Sequence, residues 1–146
     1  MSTLDIYNKA SIDAMHKEKR YLHTITINNS AGMTKSEYYS YYTGSAASNN
    51  TYSTTVKSIS FWFYNNSPMQ ITNISQLVNL SKYDVHPLFN AQENSWQYPS
   101  TLYYITDTYI VWTEFRANTN NLYPYIERWK LTFGTGATVT DIVTEQ

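Results

Sequence analysis

The chain contains no cysteine, which removes disulfide frameworks, thiol nucleophiles, zinc–thiolate sites and iron–sulfur clusters together. Glycine and proline occur four times each, too seldom for a collagen-like or Pro/Gly-rich low-complexity chain. No run approaches the roughly 18–20 consecutive apolar residues that cross a bilayer as a helix, so no transmembrane segment is expected. The start, Met1-Ser2-Thr3-Leu4-Asp5, lacks the basic flank and apolar stretch of an export signal. Charge of either sign is scarce: 14% of residues are Asp, Glu, Lys or Arg, against about 25% in an average globular protein. The net charge of −1 leaves no excess of cations to neutralise phosphates, which argues against a specific nucleic-acid partner.

Hydroxyl, amide and aromatic groups stand where charge is missing. The 146 residues include 15 tyrosines, 16% aromatics and 42% hydrophobics, enough for one folded domain with a core of its own. A surface of Ser, Thr, Asn and Tyr changes little with pH or salt, because almost nothing on it titrates or is screened. Such chains often work outside the cell or packed against copies of themselves. An AT-rich coding sequence enriches Asn, Tyr and Ile too, and accounts for the same numbers without any function. Five Asn-x-Ser/Thr sequons start at Asn28, Asn49, Asn65, Asn73 and Asn79. They are about what chance provides in a chain this rich in Asn, Ser and Thr. An outside-type composition without an export signal fits a virion or extracellular assembly, or a cytoplasmic protein released by lysis.

The first twenty residues differ from the rest. Ser2 with Asp5 forms a weak capping box, and Leu4, Tyr7, Ala10 and Ala14 recur at helical spacing. The pattern predicts an amphipathic helix over 4–19 carrying Asp13, Lys17, Glu18 and Lys19, with Arg20 just beyond it. Residues 1–20 are read as a helical arm and 21–146 as a single β-domain. The small apolar face suits docking on the core or on a neighbouring subunit better than insertion into a membrane.

From Tyr21 the period changes to two. Tyr21, His23, Ile25 and Ile27 share one face of a strand that Asn29-Ser30-Ala31-Gly32 is expected to end. A second extended run covers 37–43, followed by a polar loop at 45–51. Ile59, Phe61 and Phe63 share a face within 52–64. Val56 is out of phase with them, which predicts a bulge near 57–58. After a turn at 65–68, a short strand at 69–73 leads to one helical turn capped by Asn73. Residues 81–100, with Pro87 and Pro99, read as the longest irregular stretch and a natural functional loop. Strands follow at 101–106, 108–116, 123–133 and 137–143, with Gly134-Thr135-Gly136 as a hairpin turn. Eight or nine short strands without helical crossovers predict an all-β fold, an antiparallel β-sandwich or jelly roll with a short N-terminal helix.

Catalytic motifs are sparse. His16, His23 and His86 lack metal-binding spacing, and His23 on an apolar face reads as packed rather than ligating. No Gly-x-Ser-x-Gly elbow occurs, and no metal, cofactor or enzymatic activity is expected. One constellation does carry chemistry. A symmetric hairpin of 108–116 with 123–133 places Trp112 opposite Trp129, Glu114 opposite Glu127 and Arg116 opposite Tyr125. Stacking indoles beside carboxylates and a guanidinium suit a glycan or lipid headgroup, and two close carboxylates suit a glycosidase. The same six residues also fit a core pair of tryptophans with a charged rim. Tyr38, Tyr39, Tyr41 and Tyr42 put tyrosine on both faces of one strand, a composition typical of interfaces.

Two functions follow as expectations. The first is a non-enzymatic self-assembling structural protein, a virion, capsid or filament subunit. Its homo-oligomeric contacts would run through Leu4, Tyr7, Ala10, Ala14 and Tyr38, Tyr39, Tyr41, Tyr42. The second is a lectin-like or toxin-like recognition module for a cell-surface glycan or lipid headgroup, with Trp112, Trp129, Glu114, Glu127, Arg116 and Tyr125 facing solvent.

Overall fold

The computed structural model describes residues 19–42, 45–46, 53–80, 88–90, 100–116 and 125–146, with 38–42, 45–46, 88–90, 116 and 125 described through their backbone alone. The expected helical arm with Leu4, Tyr7, Ala10 and Ala14, and most of the 81–100 stretch, lie outside these residues.

The described chain is all-β apart from one helical turn. Its strands are β1 (Tyr21–Tyr42), β2 (Ser45–Ala46), β3 (Ser53–Asn65), β4 (Leu88–Asn90), β5 (Ser100–Ile105), β6 (Tyr109–Arg116), β7 (Tyr125–Thr132) and β8 (Thr138–Glu145). They form one antiparallel hydrogen-bonded sheet in the order β4-β3-β1-β7-β6-β5, with β2 and β8 also on β1. The single turn of helix, α1 (Ile74–Leu77), follows β3 and starts at Asn73, whose side chain and that of Gln76 complete a capping box. The expected strand at 69–73 is absent. That segment is irregular because its polar groups bond to Asp141 of β8, to Ser67 and to Gln76 of the capping box rather than to a ladder.

β1 departs most from the sequence reading. Asn29-Ser30-Ala31-Gly32 does not end it. The strand runs through all 22 residues, with its register against β3 shifting between Asn28 and Met33. Opposite that shift lies Lys57, so the parity change expected near 57–58 is found there. Gly32 takes φ +93°, and a Cβ at this position would lie 2.4 Å from Thr55 Cγ2. Only glycine meets both conditions. Asn29 is buried: its Nδ2 donates to Phe133 O (2.7 Å) and Thr135 O (3.2 Å), while its Oδ1 accepts from Ala31 N (3.1 Å). The irregularity is therefore tied across the sheet to residues 133–135.

Those residues do not make the expected hairpin turn. β7 pairs with the C-terminal half of β1, and β8 pairs with its N-terminal half. The positive-φ glycines Gly134 and Gly136 carry the chain past the irregularity in β1 without reversing it. The two halves of β1 thus lie in differently composed parts of one sheet. Ile25, Ile27, Phe61 and Phe63 from one part and Ile110, Trp112, Trp129 and Leu131 from the other belong to a single core. The ends of the strand path, β4 and β5, approach each other. A twisted sheet that curls in this way encloses its own apolar face. β4 lies inside the stretch read as irregular, where it borders β3.

Candidate functional site

The hairpin of β6 and β7 has the register that its alternation implies. Trp112 faces Trp129, Glu114 faces Glu127, and Arg116 faces Tyr125. Directly paired residues of an antiparallel ladder point to the same side, and here that side is the one carrying Ile110 and Leu131. It is the inner side. Trp112 is fully buried, Trp129 nearly so, Glu114 is buried and Glu127 half-buried. Of the two arrangements the sequence left open, the burial of both indoles fits the core pair and not the solvent-facing groove that the recognition reading requires. Alternation fixes which residues share a face, and burying two indoles with their aliphatic neighbours decides which face turns inward.

The carboxylates serve that burial. Trp112 Nε1 donates to Glu114 Oε1 at 2.9 Å, and Trp129 Nε1 donates to Glu127 Oε2 at 3.0 Å. Each buried indole N–H finds its acceptor two residues along its own strand. Lys35 is buried as well, with its Nζ 4.5 Å from the Trp129 ring centre and 5.8 Å from that of Trp112. The ammonium faces two π-systems, an attractive arrangement that strengthens when desolvated. The site thus unites Lys35, Trp112, Trp129, Glu114 and Glu127 inside the sheet. Arg116 and Tyr125 continue the same face by backbone register, and their side chains lie outside the described residues.

Tyr41 and Tyr42 pair with both β2 and β7, and Tyr39 pairs with Arg128. Tyr38 falls at the register shift between Glu37 and Tyr39. Tyr41 and Tyr42 therefore lie between two strands, and the side chains of all four tyrosines lie outside the described residues.

A second polar cluster was not anticipated. His23 Nδ1 lies 2.7 Å from Asp141 Oδ2, and His23 Nε2 lies 2.7 Å from Ser67 O. Both side chains are almost completely buried. A carbonyl only accepts, so Nε2 carries a proton, and the 2.7 Å contact at Nδ1 holds a second, shared with the carboxyl. Asp141 Oδ2 also accepts from Ile71 N at 2.9 Å, and Asp141 O accepts from Gln70 Nε2 at 2.7 Å. His23 stacks on Phe63 with ring centres 5.1 Å apart. The pair fastens segment 67–71 to β1 and β8. Its sequence signal was Asp141 in phase with Val139 on an apolar face, where an unpartnered carboxylate would be costly.

The outer side of the sheet is different. Phe115, Ile126 and Tyr103 are exposed there, with Phe115 and Ile126 directly paired. Arg128 lies over Tyr103 and Lys130 over Tyr109. Among the described residues no three His, Asp or Glu side chains converge as a metal site, and no helix is long and apolar enough to cross a membrane. Comparison of the chain with protein-family models, curated proteins and solved structures finds no match.

Proposed function

We propose that the chain is a non-enzymatic structural subunit that works by self-assembly, of the kind found in virions, capsids and filaments. The observation that carries this reading is the distribution of its side chains. Among the described residues, the buried titratable groups are engaged with their neighbours: Glu114 with an indole, His23 with Asp141, Lys35 against two rings. The outer surface presents large apolar side chains, with Phe115 49% and Ile142 69% exposed, set among threonines and tyrosines, and its cations Arg128 and Lys130 lie over tyrosine rings. A surface of that kind gains by contact with another apolar surface. The burial of Trp112 and Trp129 weighs against the glycan or headgroup reading, which needs them accessible.

In this reading the two parts of the curled sheet act as the layers of a sandwich, giving a rigid block whose outer faces make the contacts. Static light scattering on the full chain across a concentration series tests it. Mass rising in steps above 17.0 kDa is the expected result. A constant monomer mass, together with binding to a glycan array or to liposomes, would overturn it in favour of recognition.

A further inference from the structure

β8 is an edge strand whose outward backbone groups can be identified. Gln146 N donates to Arg20 O at 2.8 Å, so Arg20 and Gln146 form a hydrogen-bonded pair. The register from there to Asn28 and Thr138 is continuous. In an antiparallel ladder hydrogen-bonded and non-hydrogen-bonded pairs alternate. Leu22–Thr144, Thr24–Ile142, Thr26–Thr140 and Asn28–Thr138 are therefore the bonded pairs. The N–H and C=O groups of Val139, Asp141, Val143 and Glu145 point away from β1. The contact of Gln70 Nε2 with Asp141 O at 2.7 Å agrees, because it reaches that carbonyl from outside the β1–β8 pair. Among the described residues β8 pairs with β1 alone.

Edge strands usually carry a device that prevents further pairing: lysine, proline, a bulge, short length or an inward charge. The other ends of this sheet carry them. β4 has three residues, and β5 is broken by a register shift between Leu102 and Tyr104. β8 has eight residues, Thr-Val-Thr-Asp-Ile-Val-Thr-Glu, with neither lysine nor proline and no shift. Of its two charges, Asp141 is buried and bonded to His23, and Glu145, its last residue, is exposed and 3.7 Å from Lys19. Thr138, Thr140, Ile142 and Thr144 face outward and are exposed. Their neighbours in register are Asn28, Thr26, Thr24 and Leu22 on β1, then Ser58, Ser60, Trp62 and Tyr64 on β3. None of these twelve carries a charge at neutral pH. A charged face would oppose itself across a twofold axis; the guanidinium of Arg20, which lies over Tyr64, is four positions before Thr24, the partner of Ile142, so none of these twelve sets a charge beside such an axis at Ile142.

We infer that β8 is the seam of the assembly, pairing antiparallel with β8 of a second copy so that one sheet runs through both. The inference rests on the self-assembly reading above and names the contact that reading needs. Pairing all four outward residues fixes the register: Val139 opposes Glu145 of the second copy, and Asp141 opposes Val143. Ile142 then meets its own counterpart on the twofold axis, as a non-hydrogen-bonded pair with Cα atoms about 4.5 Å apart. The most exposed aliphatic side chain of the strand is thereby buried. Gln70 caps the one outward carbonyl of Asp141 in the unpaired chain and yields it to the Val143 N–H of the second copy.

The test uses Ile142→Lys and Ile142→Glu in the full chain. Ile142 lies outside the core, and unchanged circular dichroism melts check that each variant folds. Sedimentation equilibrium measures association of wild type, of each variant and of their equimolar mixture. Each variant alone should associate about tenfold more weakly or worse, since like charges then meet on the axis. The mixture should recover by pairing Lys with Glu. Amide exchange at Val139, Val143 and Glu145 should be slow in wild type and fast in either variant alone. If wild type associates and both variants associate equally well, the seam is wrong and the assembly reading stands. If wild type is monomeric throughout, both fall.

Discussion

Replacing Asp141 should be among the most damaging single changes in the described chain. Its Oδ2 atom receives the shared proton of His23 and the N–H of Ile71, inside a region from which water is excluded. Asp141→Ala leaves His23 Nδ1 and Ile71 N without an acceptor. Breaking a buried pair by removing one partner costs about 3–5 kcal/mol, a large share of the ~5–15 kcal/mol that holds a domain folded. Asp141→Asn keeps an oxygen for one or both donors but loses the charge, and places an amide donor where none is needed. It should cost about 1–3 kcal/mol. With a urea m-value of about 2 kcal/mol/M for a chain of this size, the midpoint should fall by about 2 M for alanine and about 1 M for asparagine. Amide exchange at Ile71 should rise in both variants, because the segment over β8 is released. A loss below about 1 kcal/mol in Asp141→Ala would refute the view that this pair fastens 67–71 to the sheet.

Gly32→Ala should lose about 1–3 kcal/mol from its positive φ together with the contact on Thr55; adding Thr55→Ala should return the steric part alone, measured as a double-mutant cycle in urea. Asn29→Ala should cost a similar amount by freeing Phe133 O and Thr135 O, and proteolysis should then cut near 133–136 before the chain unfolds. In a Trp62→Phe, Trp96→Phe background the remaining fluorescence comes from Trp112 and Trp129, and it should be blue-shifted and resist acrylamide; strong quenching would place the indoles at the surface. Trp112→Ala should cost about 3–5 kcal/mol in thermal or urea unfolding, since it leaves a large cavity and removes the indole N–H that Glu114 accepts.

Local pattern made some of this fold legible and long-range bonding concealed the rest. The β6–β7 register could be read because the two segments alternate symmetrically about one loop, so that Trp112 and Trp129 had to meet. Which side of that hairpin faced inward could not be read, since a period of two names the residues sharing a face without saying what covers them. The helical turn at 74–77 was visible through Asn73, a local capping signal. Asn29-Ser30-Ala31-Gly32 looked like the end of a strand because each residue favours turns. The bonds that carry the strand through come from Phe133 and Thr135, 104 and 106 positions away. His23 and Asp141, separated by 118 positions, were for the same reason invisible as a pair, although His23 stood out as a polar residue on an apolar face.

Sedimentation velocity on the full chain, from low micromolar to several hundred micromolar protein, tests self-assembly most directly. A weight-average mass that climbs from 17.0 kDa through twice that value as concentration rises is the expected result, with the climb suppressed in Ile142→Lys. A single boundary at 17.0 kDa across the whole range would contradict it.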